Sequence, residues 1–375
     1  MKYKEKNLKG FGRGLIFTII FCLIFAGFSN LFTPKADANT EGMSAMVTKA
    51  YLAEERDTID VLFLGNSNMY RAFNPIQLWQ EQGITSCDIG MPGSNTVELY
   101  RKAVDFMKYQ KPKMIVVETD CMFDGVNVFD ANGNLIVSKS TKIESKVKER
   151  MDAYKNSFDN LDDAIMSGIS YRWPLMKYKY RWKRIKSRDF TDEKGKYKFV
   201  AKGYVNGVEK KPFKYGATYM GVNDGSTADI SSNSDIYIKK LNELCKANDC
   251  QLVLVSVPCG KYWNWQKHNA AQKFADENNI KFLDFNVETQ LIPEFSWKNC
   301  SRDGGTHING KGAKYVTHAM GRYLVEQCDM KPSNLTAKQK AAWNKDVKSF
   351  NKVKKRQVKL YKERLKAQKL NSKKK

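Results

Sequence analysis

Two widely separated stretches hold the side chains with chemistry to offer. The first is Val61-Leu62-Phe63-Leu64-Gly65-Asn66-Ser67-Asn68, an apolar run cut off by a glycine and followed by a hydroxyl residue. The second, more than two hundred residues downstream, is Asp303-Gly304-Gly305-Thr306-His307-Ile308-Asn309-Gly310-Lys311-Gly312-Ala313. A serine hydroxyl acts as a nucleophile when a base within hydrogen-bond reach takes its proton and an acid orients that base. His307 and Asp303, four residues apart, supply base and acid together. Taken singly, Gly-Asn-Ser-Asn also reads as a turn that caps the next helix, and Asp-Gly-Gly as an ordinary loop. The pairing favours Ser67, His307 and Asp303 as nucleophile, base and orienting acid. The chain has only three histidines, and the other two, His268 and His318, fall in helix-like runs that predict surface or packing positions.

The elements around these stretches predict how they meet. Residues 59–64 read as a strand buried on both faces, with Ser67 just past its carboxyl end. In open α/β sheets that edge is where ligands bind. A helix is expected from Pro75, with Asn74 as cap and proline in the first turn, then a strand over 86–89 ending in the glycine-rich turn Gly90-Met91-Pro92-Gly93-Ser94-Asn95. A helix over 96–109 and a strand over 114–117 follow. Strand alternating with helix implies right-handed parallel crossovers and a doubly wound sheet. The alternation lapses over about 123–233, read as an insertion covering the carboxyl edge of the sheet, and includes a helix-like stretch over 143–165 and an aromatic-rich one around Tyr171 to Trp182. It resumes with helix 234–247, strand 251–257, a helix ending near 278, strand 281–285 and a last helix over 311–328.

The ends of the chain set its location. Residues 14–32 carry no charge and nearly span a bilayer core of about 30 Å. Lys2, Lys4, Lys6, Lys9 and Arg13 precede them, so the positive-inside rule keeps residues 1–13 in the cytoplasm and exports the rest. We read the segment as an uncleaved anchor; Ala36-Asp37-Ala38 supplies the alternative, a signal-peptide processing site. Residues 33–56 are a linker with a short helix expected over 42–55, and 57–330 form the α/β domain. The net charge of +24 is concentrated in the tail, where residues 331–375 hold 17 Lys plus Arg against Asp346 and Glu363. Export argues against nucleic acid as its partner. The tail predicts a solvated, helical extension whose apolar residues are too sparse to build a core, with attachment to an anionic lipid or wall polymer as the functional alternative. The eight cysteines show no metal-ligand or C-x-x-C spacing, and we assign no disulfide.

At these motifs the sequence resembles the SGNH (GDSL-type) hydrolase superfamily over roughly residues 57–324. Phe63-Leu64-Gly65-Asn66-Ser67-Asn68 looks like its nucleophile block, Asp88-Ile89-Gly90-Met91-Pro92-Gly93 like its second block, and Asp303 to Ala313 like its terminal Asp/His block. Tyr109-Gln110-Lys111-Pro112 and Phe282-Leu283-Asp284-Phe285 fit the same group. It looks most like the membrane-anchored extracellular members that accompany membrane-bound O-acyltransferases, among them polysaccharide O-acetyltransferase proteins and the D-alanine transfer protein of teichoic acid modification. The resemblance implies a three-layer α/β/α fold with a mostly parallel sheet and acyl transfer through Ser67, His307 and Asp303. It implies an oxyanion site at the Ser67 and Gly93 N–H groups with Asn95, and no metal or organic cofactor. The substrate would be an acylated, most simply acetylated, envelope glycan or wall polymer, and a membrane-bound O-acyltransferase a partner. The alternative is an idle SGNH-like envelope protein that binds an anionic polymer or such a partner. Two features depart from the family pattern: Glu118-Thr119-Asp120 stands where a third-block asparagine is expected, and Asp303 lies four residues before the histidine instead of three.

Overall fold

The structure is a computed structural model that describes residues 2–32, 51–123, 179–185, 200–287 and 292–372, with residues 175 and 190. The expected helices over 42–55 and 143–165 fall wholly or mostly outside the described residues, where only the turn Tyr51–Ala53 is seen. The chain divides into two compact units, Met1–Ala45 with Val137–Tyr197, and Met46–Ile136 with Lys198–Lys375.

In the first unit, helix α1 runs over Lys2–Phe32, about 46 Å at 1.5 Å per residue. Its window Gly12–Ser29, of mean hydropathy 1.9, makes it one helix long and apolar enough to cross a membrane. The last carbonyls of a helix lack intrahelical partners. Here Arg181 Nη1, in the turn Lys179–Arg184, donates to the Leu31 and Phe32 oxygens at 3.4 and 3.2 Å.

The second unit is built on five parallel strands, β1 Val61–Leu64, β2 Ser86–Asp88, β3 Met114–Glu118, β4 Gln251–Ser256 and β5 Lys281–Asp284, in the order β2-β1-β3-β4-β5. Register pairs Val61 with Ser86 on one side and with Met114 on the other. This is the flavodoxin-like doubly wound order, whose switch point lies between β1 and β3. β1 and β3 are buried along their whole length, as their unbroken apolar runs require. β1 begins two residues later than the hydrophobic run suggests, because the Ile59 N–H donates to the Gln110 side chain and not to a neighbouring strand.

The helices are α2 Met69–Ala72, α3 Pro75–Gln82, α4 Thr96–Met107, α5 Ser232–Lys246, α6 Trp265–Glu277, α7 Trp297–Cys300, α8 Gly310–Glu326 and α9 Ala337–Ser372. Four begin on an asparagine whose side-chain oxygen accepts from first-turn N–H groups: Asn74, Asn95, Asn264 and Asn309. α4 packs on α5, and α2 and α3 on α8, so helices flank the sheet in the three-layer α/β/α arrangement expected.

The tail departs from the sequence expectation. It builds no core of its own, yet its first half joins the existing one: Trp343 and Phe350 are buried, the Trp343 ring lies 5.4 Å from that of Trp79, and Phe350 meets Tyr204 edge-on. A buried lysine fixes the contact. Lys202 Nζ reaches Glu54 at 2.6 Å and Asp346 on α9 at 2.7 Å, and sits over the Trp343 ring. Beyond it, Leu360 and Leu370 are exposed. The charge pattern could not reveal this, because two aromatic residues dilute a lysine-rich average very little. Replacing Trp343 with Ala is expected to cost about 3–5 kcal/mol in denaturant unfolding, whereas Leu360→Ala should stay within about 0.5 kcal/mol.

Candidate active site

The nucleophile turn follows directly from the end of β1. The Asn68 backbone is already helical, at φ −69° and ψ −44°, so Ser67 sits on the last residue before a helical turn at the carboxyl edge of the sheet. Gly90, in the turn after β2, packs against this turn. A Cβ there would come within 3.0 Å of the Gly65 oxygen and 3.2 Å of the Asn66 oxygen, so only glycine lets the two loops touch, and the Met91 N–H then donates to the Gly65 oxygen.

The histidine arrives on a hairpin-like loop. Ser301 and Ile308 form an isolated antiparallel bridge, and the Ser301 hydroxyl accepts from the N–H groups of Gly304 and Gly305. Both glycines have positive φ, 84° and 107°. A Cβ on Gly305 would lie 2.4 Å from the Phe213 ring. This turn absorbs the extra residue between Asp303 and His307: Asp303 Oδ1 accepts the His307 backbone N–H at 2.8 Å, and Oδ2 meets Nδ1 at 2.6 Å. The spacing that departs from the family pattern therefore still gives a short carboxylate–imidazole contact.

The two loops meet at His307 Nε2, which lies 2.8 Å from Ser67 Oγ. Ser67, His307 and Asp303 thus form one hydrogen-bonded chain, hydroxyl to imidazole to carboxylate. Burial alone would raise the Asp303 carboxyl, but hydrogen bonds from the His307 ring and backbone, with the His307 and Arg302 charges, hold it down at about 2. Arg302 lies 3.5 Å from Asp303 Oδ2 and grips Glu209 with two nitrogens.

The oxyanion candidates divide. Among the described residues nothing engages the backbone N–H of Ser67 or of Gly93, whereas the neighbouring Asn68 and Gly90 N–H groups are taken by the Asn66 and Asp88 side chains. Gly93 is exposed at the tip of its turn with φ 63°. Asn95 also caps a helix: its side-chain oxygen accepts from Glu98 N and starts α4, a contact that does not use its amide NH2. In the place of the third-block asparagine, Asp120 follows β3. Its Oδ2 takes long hydrogen bonds from Asn66 and Asn68, at 3.5 and 3.4 Å, and its Oδ1 pairs with Lys267 at 3.0 Å.

Of the remaining histidines, His318 contacts Glu81 at the surface. His268 does more than its helical position suggests. Its Nδ1 lies 2.8 Å from Asp284 Oδ2, which also accepts the Trp263 indole N–H. The clue in the sequence was the acidic residue ending β5, because a carboxylate buried at a strand's end demands partners.

No family model matches the sequence, and no curated protein matches it. Solved structures are similar, two of them as follows. One, from Desulfitobacterium hafniense DCB-2 and assigned to the G-D-S-L lipolytic family, is 14% identical with a TM-score of 0.32, over 70% of this chain and 98% of its own. The other, from Bacteroides fragilis NCTC 9343 and assigned as an acylhydrolase, is 12% identical with a TM-score of 0.33, over 78% of this chain and 99% of its own. Likeness at these scores carries no argument about activity or residues. The chain's own wiring is a parallel 2-1-3-4-5 sheet with the serine turn after β1, the glycine turn after β2 and the Asp/His loop before α8.

Two outcomes test this candidate site. Gly305→Ala should strain the loop by about 1–3 kcal/mol and lower both the melting temperature and the reactivity of Ser67. For Asp303, the folded carboxyl is depressed below its unfolded value of about 3.9, so its contribution to stability is present above that pH and lost as pH falls toward 2. Melting curves of the wild type and Asp303→Asn should therefore differ by a constant amount above about pH 5, with the gap closing below pH 4.

Proposed function

We propose that the protein is an exported serine esterase or O-acyltransferase that works through a covalent acyl-serine. The observation that carries this reading is the 2.8 Å contact between Ser67 Oγ and His307 Nε2, with Asp303 on the other ring nitrogen. As His307 Nε2 takes the hydroxyl proton, Ser67 Oγ bonds to the acyl carbon of an ester. The tetrahedral oxyanion is met by the Ser67 and Gly93 N–H groups, each such donor worth on the order of 3 kcal/mol in the transition state. The C–O bond to the alcohol then breaks, and the alcohol leaves with the proton from His307. Water or a sugar hydroxyl reverses these steps and regenerates Ser67. Asp303 stays ionised, fixes the tautomer and supports the imidazolium.

α1 acts as a single-pass anchor with the basic residues 1–13 inside and the SGNH-like domain outside, which follows from the charge asymmetry. An anchored exported enzyme meets the cell envelope first, so the acyl groups, acetyl in the simplest case, belong to an envelope glycan or wall polymer. A membrane-bound O-acyltransferase supplies them if the reaction is transfer. A second reading, an idle binding protein, is favoured by one observation: Asp120, a carboxylate, stands where the family has an oxyanion-binding asparagine.

A serine-directed fluorophosphonate separates the two. The enzyme reading expects stoichiometric labelling of Ser67, lost in His307→Ala and Ser67→Ala, with esterase turnover of a p-nitrophenyl ester falling by on the order of 10⁴ or more in either variant. A folded protein that takes no label supports the idle reading.

A further inference from the structure

Four residues after the serine comes an arginine with no ion pair of its own among the described residues. Arg71 follows Ser67 by four residues, and the helical turn between them is closed by the Ala72 N–H donating to the Asn68 oxygen. Ser67 lies just before that turn, so the two residues share the strand-to-helix connection at the carboxyl edge of the sheet. Arg71 is half-buried, and its Nε is shielded from solvent without a hydrogen-bond partner. Its guanidinium leans over the Tyr70 ring, and among the described residues no carboxylate lies within ion-pair distance of it.

The nearby carboxylates are otherwise committed. Both oxygens of Glu209 are gripped by Arg302, and both oxygens of Asp303 serve His307. Burial first, and the like charge of Arg302 second, lower the Arg71 guanidinium from its ordinary value, against the opposing charges of Glu209 and Asp303. Those two carboxylates hold Arg302 and His307 and act on Arg71 only through space, so an anion in direct contact with its half-buried guanidinium is favoured. Guanidinium groups suit phosphate and carboxylate because their planar N–H forks match the two oxygens of either group.

We propose that Arg71, backed by Arg302, forms an anion subsite beside Ser67, so that the ester processed there sits on a substrate carrying a phosphate or carboxylate close to the acyl group. This deepens the serine-enzyme reading and rests on it for the ester. The subsite itself does not depend on turnover.

The test is calorimetric titration of the full chain in detergent, at low ionic strength, with inorganic phosphate and with D-glucuronate in separate arms. The expected result is binding that Arg71→Gln weakens at least tenfold, that Arg71→Lys partly restores, and that Ser67→Ala leaves in place. Tail lysines are common to all variants, so the difference isolates Arg71. The arm with the larger loss names the substrate's anion. Should Arg71→Gln fail to melt cooperatively, Glu209→Gln decides: freeing the Arg302 guanidinium should tighten binding at least threefold. Equal binding by the wild type and a folded Arg71→Gln in both arms, or no tightening in Glu209→Gln, overturns the subsite. Because no labelling or turnover is read, loss of the subsite is distinguishable from failure of the serine-enzyme reading.

Discussion

One hydrogen bond, from Ser67 to His307, joins residues 240 positions apart, and much of the second unit serves to hold its two ends. A contact of this range is costly in chain entropy, so it persists only where rigid elements place both partners. β1 fixes the serine from below through four fully buried residues in register with strands on both sides. The histidine is held from the other direction by a loop anchored at both ends, at the Ser301–Ile308 bridge and at the Asn309 cap of α8. The serine and the histidine loop are far apart in sequence, and the packing of α8 on α2 and α3 brings them to one rim.

The segment 202–213 ties the rim together. Lys202 O accepts from Asp88 N at the end of β2, Val205 N donates to the Tyr70 oxygen beside the nucleophile turn, and Gly207 O accepts from Gly310 N at the start of α8. Phe213 then fills the space above Gly305. The same segment contributes Lys202 to the α9 contact and Glu209 to the Arg302 pair. Tail, nucleophile turn and histidine loop are thereby mechanically connected through about a dozen residues, all of which belong to a region with no periodic signal.

How legible this was differs by element. β1, β3 and β4 read directly from the sequence because buried parallel strands carry apolar runs, and the ends of all five strands fall within two residues of the expected ones. The helix start at Asn74 was legible for a local reason, since an asparagine before a periodic run satisfies the orphan N–H groups whatever the rest of the chain does. Asn95 shows the limit of local reading, because a residue expected to serve an oxyanion also caps the helix that follows it through its side-chain oxygen. The Arg302–Glu209 grip and the burial of Trp343 were not legible, because each depends on which surfaces the fold brings face to face.

The sequence by itself determined the residue types able to do the chemistry, the parallel α/β class, and an apolar amino-terminal helix of membrane-spanning length. All three are carried by composition and short-range periodicity. Tertiary structure decided whether four residues between Asp303 and His307 still permit a 2.6 Å contact, which carboxylates remain to neutralise Arg71, and where the lysine-rich tail begins to leave the surface. Those are matters of distance and direction in three dimensions. A chain's local preferences fix its elements, while side-chain contacts between remote elements follow only from how those elements pack.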